Sequence, residues 1–311
     1  MIGPIAVVPF VLLVVISVII VRSRHAQRPL ELDRSRQGAV LATHRKAVGW
    51  RWAGLGLGVV AAYLTAGVGS LGLGLMLAPT VFGLCVIGGV AVGELASIPR
   101  REGQRTAALE TRTLGDYVPR RLSGLVSAST IGLGAVLVTT TLMGSADDMG
   151  RAGRSLSRQC NPESLEMLGG ASHGPWPGLF YSVPLAIAVG VGLLGAAVAL
   201  RTVVLRPRSG SAPELVVADD ALRHRSAEAV VAATGVMVAA SLLGVALTAA
   251  GSLIGIACPP MMWTVLGFTL LAVGVLMLLL AVWCLALLLA GPRIRPIESG
   301  GTVVAGQTVR R

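Results

Sequence analysis

Residues 229–290 read AVVAATGVMVAASLLGVALTAAGSLIGIACPPMMWTVLGFTLLAVGVLMLLLAVWCLALLLA, without one Asp, Glu, Lys or Arg. A helix needs only about 20 predominantly apolar residues to cross a hydrocarbon layer of about 30 Å, so this run is too long for one crossing and long enough for two. Pro259 and Pro260 lie near its middle, where the missing amide hydrogens and the fixed ring stop a helix. The run therefore reads as a hairpin of two membrane spans, 229–256 and 262–290.

Lipid excludes full charges, so the same criterion applies along the whole chain. Uncharged apolar stretches also cover residues 2–21, 52–69, 72–93, 122–143 and 179–200. The pair 52–69 and 72–93 is another hairpin, divided around Ser70 by Gly67, Gly69, Gly72 and Gly74, whose backbone freedom permits reversal. Composition agrees with a chain built for lipid. Of 311 residues, 54% belong to the hydrophobic set and 13% are charged, against about a quarter charged in a soluble domain. A water-soluble globule and a disordered chain are both excluded. The expected fold is an all-α integral membrane protein: one transmembrane domain of seven helices, followed by a flexible cytoplasmic tail, 291–311.

Orientation follows from the basic residues. Segments 22–51, 94–121, 201–228 and 291–311 hold 23 of the 26 Lys and Arg, and on a seven-span path they share one side. Only Arg151, Arg154 and Arg158 fall on the other side, among Asp147, Asp148, Glu163 and Glu166. The positive-inside rule places the amino terminus outside and the carboxyl terminus inside a bacterial plasma membrane. The first span is read as a retained anchor, because no positive region precedes it and Arg22 and Arg24 follow it directly. Trp50 and Trp52 mark the inner surface; Trp176, Phe180, Tyr181 and Trp263 mark the outer one.

Four cysteines divide by this topology. Cys85 and Cys284 lie within spans and read as small apolar side chains. Cys160 and Cys258 both fall on the outer side, where oxidation is permitted, and are expected to form a disulfide between the 144–178 loop and the last hairpin. In the spans, Gly54 with Gly58 and Gly89 with Gly93 have the small-x-x-x-small spacing that lets helix backbones approach closely. Arg100, Arg101, Arg120 and Arg121 are the candidates for contact with an anionic inner leaflet.

Chemistry is sparse by comparison. The span cores lack the Asp, Glu, Lys, Arg or His that ion pathways and pumps place in the bilayer, and Glu94 and Glu228 at span borders read as cap or surface residues. Asp219, Asp220, Arg223 and Arg225 read as the first turns of a helix feeding the sixth span, and residues 105–112 as a short helix. Gly174, Pro175 and Pro177 read as a rigid turn that delivers Trp176 to the interface. His25, His44, His173 and His224 form no metal-ligand spacing, and no Walker A loop is present, so no cofactor or metal is expected. Gly67–Gly72 matches GxGxxG, yet it falls between two membrane spans without a preceding strand.

The stretch Arg112 to Leu122, RTLGDYVPRRL, with Asp147 to Arg154, DDMGRAGR, is similar to stretches of uncharacterised multi-spanning membrane proteins of actinobacterial type. The Arg-over-Lys, Ala- and Gly-rich composition fits such a high-GC bacterial source. This resemblance implies a plasma-membrane location and brings no activity with it. The leading expectation is a non-enzymatic interaction or accessory protein, with a membrane or cytoplasmic protein partner and no nucleic acid. The alternative is the permease subunit of a transporter energised by a separate ATPase, docking through 100–121. A lipid-active enzyme is the third reading, and it requires Asp116, Asp219, Asp220 or Glu94 to meet in one pocket.

Overall fold

A computed structural model of the chain describes residues 15–21, 23, 30–32, 34–96, 115, 117–160, 170–205, 213–289 and 294–296. They are mostly helical. Residues 15–21 form α1, followed by α2 (Arg34–Ala66), α3 (Leu73–Ala96), α4 (Arg120–Met143), α5 (Leu179–Leu205), α6 (Pro213–Gly255) and α7 (Met261–Leu289). Two small sheets complete the fold: β1 (Leu30–Leu32) pairs in parallel with β4 (Ile294–Pro296), and β2 (Leu156–Gln159) pairs antiparallel with β3 (Gly170–His173).

Six of these helices contain stretches long and apolar enough to cross a membrane: Arg45–Ala66, Leu73–Ala96, Arg120–Met143, Leu179–Leu205, Asp219–Gly255 and Met261–Leu289. Most of the expected first span, 2–21, lies outside the described residues. Both expected hairpin turns are present. The first spans 67–72, where Gly69, Leu71 and Gly72 adopt positive φ of 83°, 56° and 75°. The second contains Cys258 at φ 50°, and Pro260 offers its carbonyl to the amide of Trp263 at 2.9 Å as α7 begins.

The helices arrange around α6. In the apolar 18-residue stretch of α6, 78% is buried within the bundle, against 17–39% for the corresponding stretches of the other five, and Val230, Ala232, Ala233, Met237, Val245 and Ala249 have no exposed surface. Small side chains along α6 let α3, α4, α5 and α7 approach it from several directions. Outward-facing positions of the surrounding helices are apolar: Tyr63, Ile131, Leu142 and Leu194 are all more than two thirds exposed. Apolar groups both inside and outside fit a lipid solvent, where a polar exterior has no advantage.

Several expected boundaries need correction. The span expected at 52–69 belongs to a helix that begins at Arg34 and stops at Ala66, with Gly67–Gly69 in the turn. The span expected at 229–256 belongs to a helix of 43 residues that starts at Pro213. Charge marks where lipid ends, whereas helix formation continues into polar sequence because Arg, Lys, Glu and Ala are good helix formers. Proline at the first position of α6 has no intrahelical bond to lose. As expected, Asp219, Asp220, Arg223 and Arg225 lie in the early turns of the helix that contains the sixth span.

Residues 294–296 pair with 30–32, while 297–311 lie outside the described residues. The reason is visible in the helices: Val21 of α1, 1% exposed, packs with fully buried Ala286 near the end of α7, so the segments leaving both helices start side by side.

Candidate functional site

The sequence-selected glycines meet at the α2–α3 crossing. A β-carbon on Gly54 would lie 2.9 Å from the α-carbon of Gly89, and one on Gly93 would lie 3.1 Å from the carbonyl of Ala47. Gly58 faces Phe82 in the same way. The crossing is backbone against backbone, and it brings the middle of α2 within reach of the carboxyl-terminal end of α3. There the Arg51 guanidinium donates to the Glu94 carboxylate at 3.4 Å. Gly89→Leu would drive a side chain into Gly54 and the Trp50 carbonyl, each 2.7 Å from even a β-carbon. Its expected result is a loss of about 1–3 kcal/mol from overpacking. SDS titration of the purified protein checks this, and an unchanged midpoint contradicts it.

Glu94 is not a surface group. It is 5% exposed and accepts a hydrogen bond of 2.7 Å from the Ser226 hydroxyl of α6. Its carboxylate therefore joins α2, α3 and α6. A charge at a span border faces water only when no neighbouring helix covers it, and α6 extends far enough to cover Glu94.

A second buried ion pair lies farther along α6. The Arg223 guanidinium, 1% exposed, donates through Nε and Nη2 to the Asp219 carboxylate at 2.9 and 2.8 Å. Its Nη1 donates to the carbonyls of Val203 and Val204 at 3.4 and 3.1 Å. Those carbonyls belong to the last turn of α5, where no later residue of the helix can bond them, so one arginine neutralises a carboxylate and caps a neighbouring helix. Nearby, Tyr117 donates its hydroxyl to Asp220 at 3.2 Å, and His224 Nδ1 lies 3.1 Å from the Tyr117 carbonyl. Tyr117, Val204 and Ala227 pack together below them. Arg225 pairs with Glu228 at 2.8 Å.

Of the three described carboxylates that an enzyme reading needs, Glu94 bonds Arg51 and Ser226, Asp219 bonds Arg223, and Asp220 bonds Tyr117. Asp116 lies outside the described residues. So do Arg100, Arg101 and the short helix expected at 105–112; Arg120 and Arg121 are exposed at the start of α4. Among the described residues no group of three His, Cys, Asp or Glu is placed to hold a metal ion.

Midway along α3 and α6, Thr80 and Ser241 share a buried hydrogen bond of 2.7 Å. Ser241 also bonds the Met237 carbonyl one turn back, at 2.7 Å. Between this pair and Glu94 lie apolar groups: Met237, seated against Gly83 and Gly192, with Val86, Ile87 and Val90.

At the opposite end the described parts of the 144–178 loop, 144–160 and 170–178, pack against the helices. Cys160 and Cys258 lie with α-carbons 6.2 Å apart and sulfurs at disulfide distance, which joins the loop to the α6–α7 turn. Trp176 is enclosed by protein, where the sequence suggested a side chain presented to the membrane interface. It is 1% exposed and donates its indole N–H to the Thr140 carbonyl at 2.7 Å, while Ser252 donates to Pro175 at 2.9 Å. Burial with Leu156, Ala249 and Leu253 uses the apolar face of the ring, and Thr140 near the end of α4 takes its one polar atom.

Asp147 organises the start of this loop. Partial desolvation pushes its carboxyl upward, but bonds from the Arg151 amide and guanidinium, the Arg151 charge and the Met149 amide outweigh that and hold it below the usual value.

Neither a family model nor a curated protein nor a solved structure matches the chain.

Proposed function

We propose that this chain is a seven-span bacterial plasma-membrane protein of actinobacterial type, amino terminus outside and carboxyl terminus inside, acting as a non-enzymatic interaction or accessory protein. The observation that carries the reading is the pairing of three sets of buried polar side chains within the helix bundle. Arg51 with Glu94, and Arg223 with Asp219, are bound across or along helices near one end, and Thr80 and Ser241 satisfy each other at mid-span. Such pairing suits a fixed scaffold that presents its polar segments on either side of the membrane. It suits a translocation path less well, since that needs polar groups able to exchange partners along the bilayer.

The seventh span is supported by α1, whose Val18 and Val21 pack with Trp283, Ala286 and Leu287 of α7. The orientation is supported by the basic segments, and the β1–β4 pairing, which joins the residues after α1 to those after α7, agrees with both lying on one side.

Two measurements test this. A cysteine placed at Met149 is expected to react with a membrane-impermeant maleimide in intact cells, and one at Ser211 only after permeabilisation; the reverse pattern inverts the topology. Purification in mild detergent is expected to retain a stoichiometric protein partner, with no solute flux above protein-free liposomes after reconstitution. Flux together with repeated isolation of the chain alone replaces this reading with that of a permease.

A further inference from the structure

The geometry points to Arg154 as a binding site for the phosphate of an anionic phospholipid, at the end of the bundle that carries the 144–178 loop. This rests on the membrane reading above and goes beyond it. Arg154 is held in place from several directions. Its amide donates to the Ser145 carbonyl at 3.2 Å, its carbonyl accepts from the Trp176 amide at 3.0 Å, and its guanidinium stacks 3.9 Å above the Phe180 ring. Yet the guanidinium is left with unused hydrogen-bonding capacity. Nη1 is buried and has no hydrogen-bond partner among the described residues. The nearest carboxylate oxygen, Asp147 Oδ2, is 3.9 Å away and already accepts from Arg151 Nε at 2.9 Å.

A charged guanidinium that lacks a hydrogen-bond acceptor is costly to bury, and an oxyanion that reaches the 15% of its side-chain surface still exposed offsets part of that cost. The surroundings specify what that group is. Phe180 lies in the first turn of α5, where Leu179 and Val183 are about half exposed and apolar, as lipid-facing positions are. An aromatic ring under a cation at that level places the charge at headgroup depth, where the abundant acceptor is a phosphate oxyanion. The planar guanidinium matches two phosphate oxygens at once, and its stacking on Phe180 removes the freedom that such binding would otherwise cost. Arg151, by contrast, spends its charge on Asp147 and is 45% exposed.

The test uses the full chain in detergent. Native mass spectrometry follows titration with dioleoyl phosphatidylglycerol, dioleoyl phosphatidylcholine or inorganic phosphate. The wild type is expected to hold phosphatidylglycerol in preference to phosphatidylcholine, and Arg154→Gln to lose about tenfold in that affinity. Arg154→Lys, which keeps the charge without the planar fork, is expected to fall between them. Equal affinity in the wild type and Arg154→Gln overturns the proposal, as does equal retention of the two lipids by the wild type, a comparison that needs no variant to fold. Displacement of the lipid by equimolar inorganic phosphate overturns the lipid assignment and makes the ligand a free oxyanion. Release of the chain from membranes by alkaline carbonate defeats the membrane reading itself, a result distinguishable from loss of selectivity.

Discussion

Arg223→Met destabilises the folded bundle by about 3–5 kcal/mol, the usual cost of leaving one member of a buried ion pair without the other. The variant strips Asp219 of two hydrogen bonds and uncovers the Val203 and Val204 carbonyls at the end of α5. Two losses act together, so the α5–α6 contact is expected to loosen along with the local charge. Equilibrium unfolding in mixed SDS micelles measures the effect. The double variant Asp219→Leu with Arg223→Met is the sharper comparison. Removing both charges together relieves the unpaired carboxylate but not the uncapped carbonyls, so it is expected to recover part of the loss. A double variant as unstable as the sum of the two single variants contradicts a direct coupling between Asp219 and Arg223.

Reduction of the Cys160–Cys258 link, or Cys160→Ala, is expected to cost up to about 4–5 kcal/mol. The linked residues are separated by 98 positions in the chain, and freeing a loop of that length returns conformational entropy to the unfolded state. Anchorage of the intervening helices in lipid restricts that state already, which makes the figure an upper value. The thermal midpoint of purified protein with and without dithiothreitol checks it. Coincident curves from samples whose non-reducing gels prove full oxidation and full reduction would refute the role. The loop is not expected to detach entirely, because the Trp176–Thr140 and Ser252–Pro175 hydrogen bonds remain.

How much of this was legible in the sequence depended on whether a residue answered to lipid or to a neighbouring helix. Charge gaps located the six described spans because exclusion of ions from hydrocarbon is a property of the solvent, blind to tertiary structure. Both turns were visible in Gly67–Gly74 and Pro259–Pro260 for a related reason: they concern the backbone alone. The four glycines Gly54, Gly58, Gly89 and Gly93 were found by spacing, although spacing could not tell which helices they would bring together. Glu94 and Trp176 were misread because their environment is made by distant segments, α6 for one and α4 for the other. Arg223 left a usable trace in its four-residue separation from Asp219, the spacing of a helical ion pair. Nothing in that trace indicated that the same guanidinium would also cap α5.

The contact between Val21 and Ala286 has a consequence for biogenesis. Val21 leaves the ribosome long before Ala286, so it must wait for the intervening chain to be made before it acquires that neighbour. At translation rates of about 5–20 residues per second, that delay is on the order of tens of seconds. Throughout it the leading segment has only lipid, the insertion machinery or a chaperone for company. Only after that delay can β1 find β4, so the ribbon that joins them is a late element of assembly.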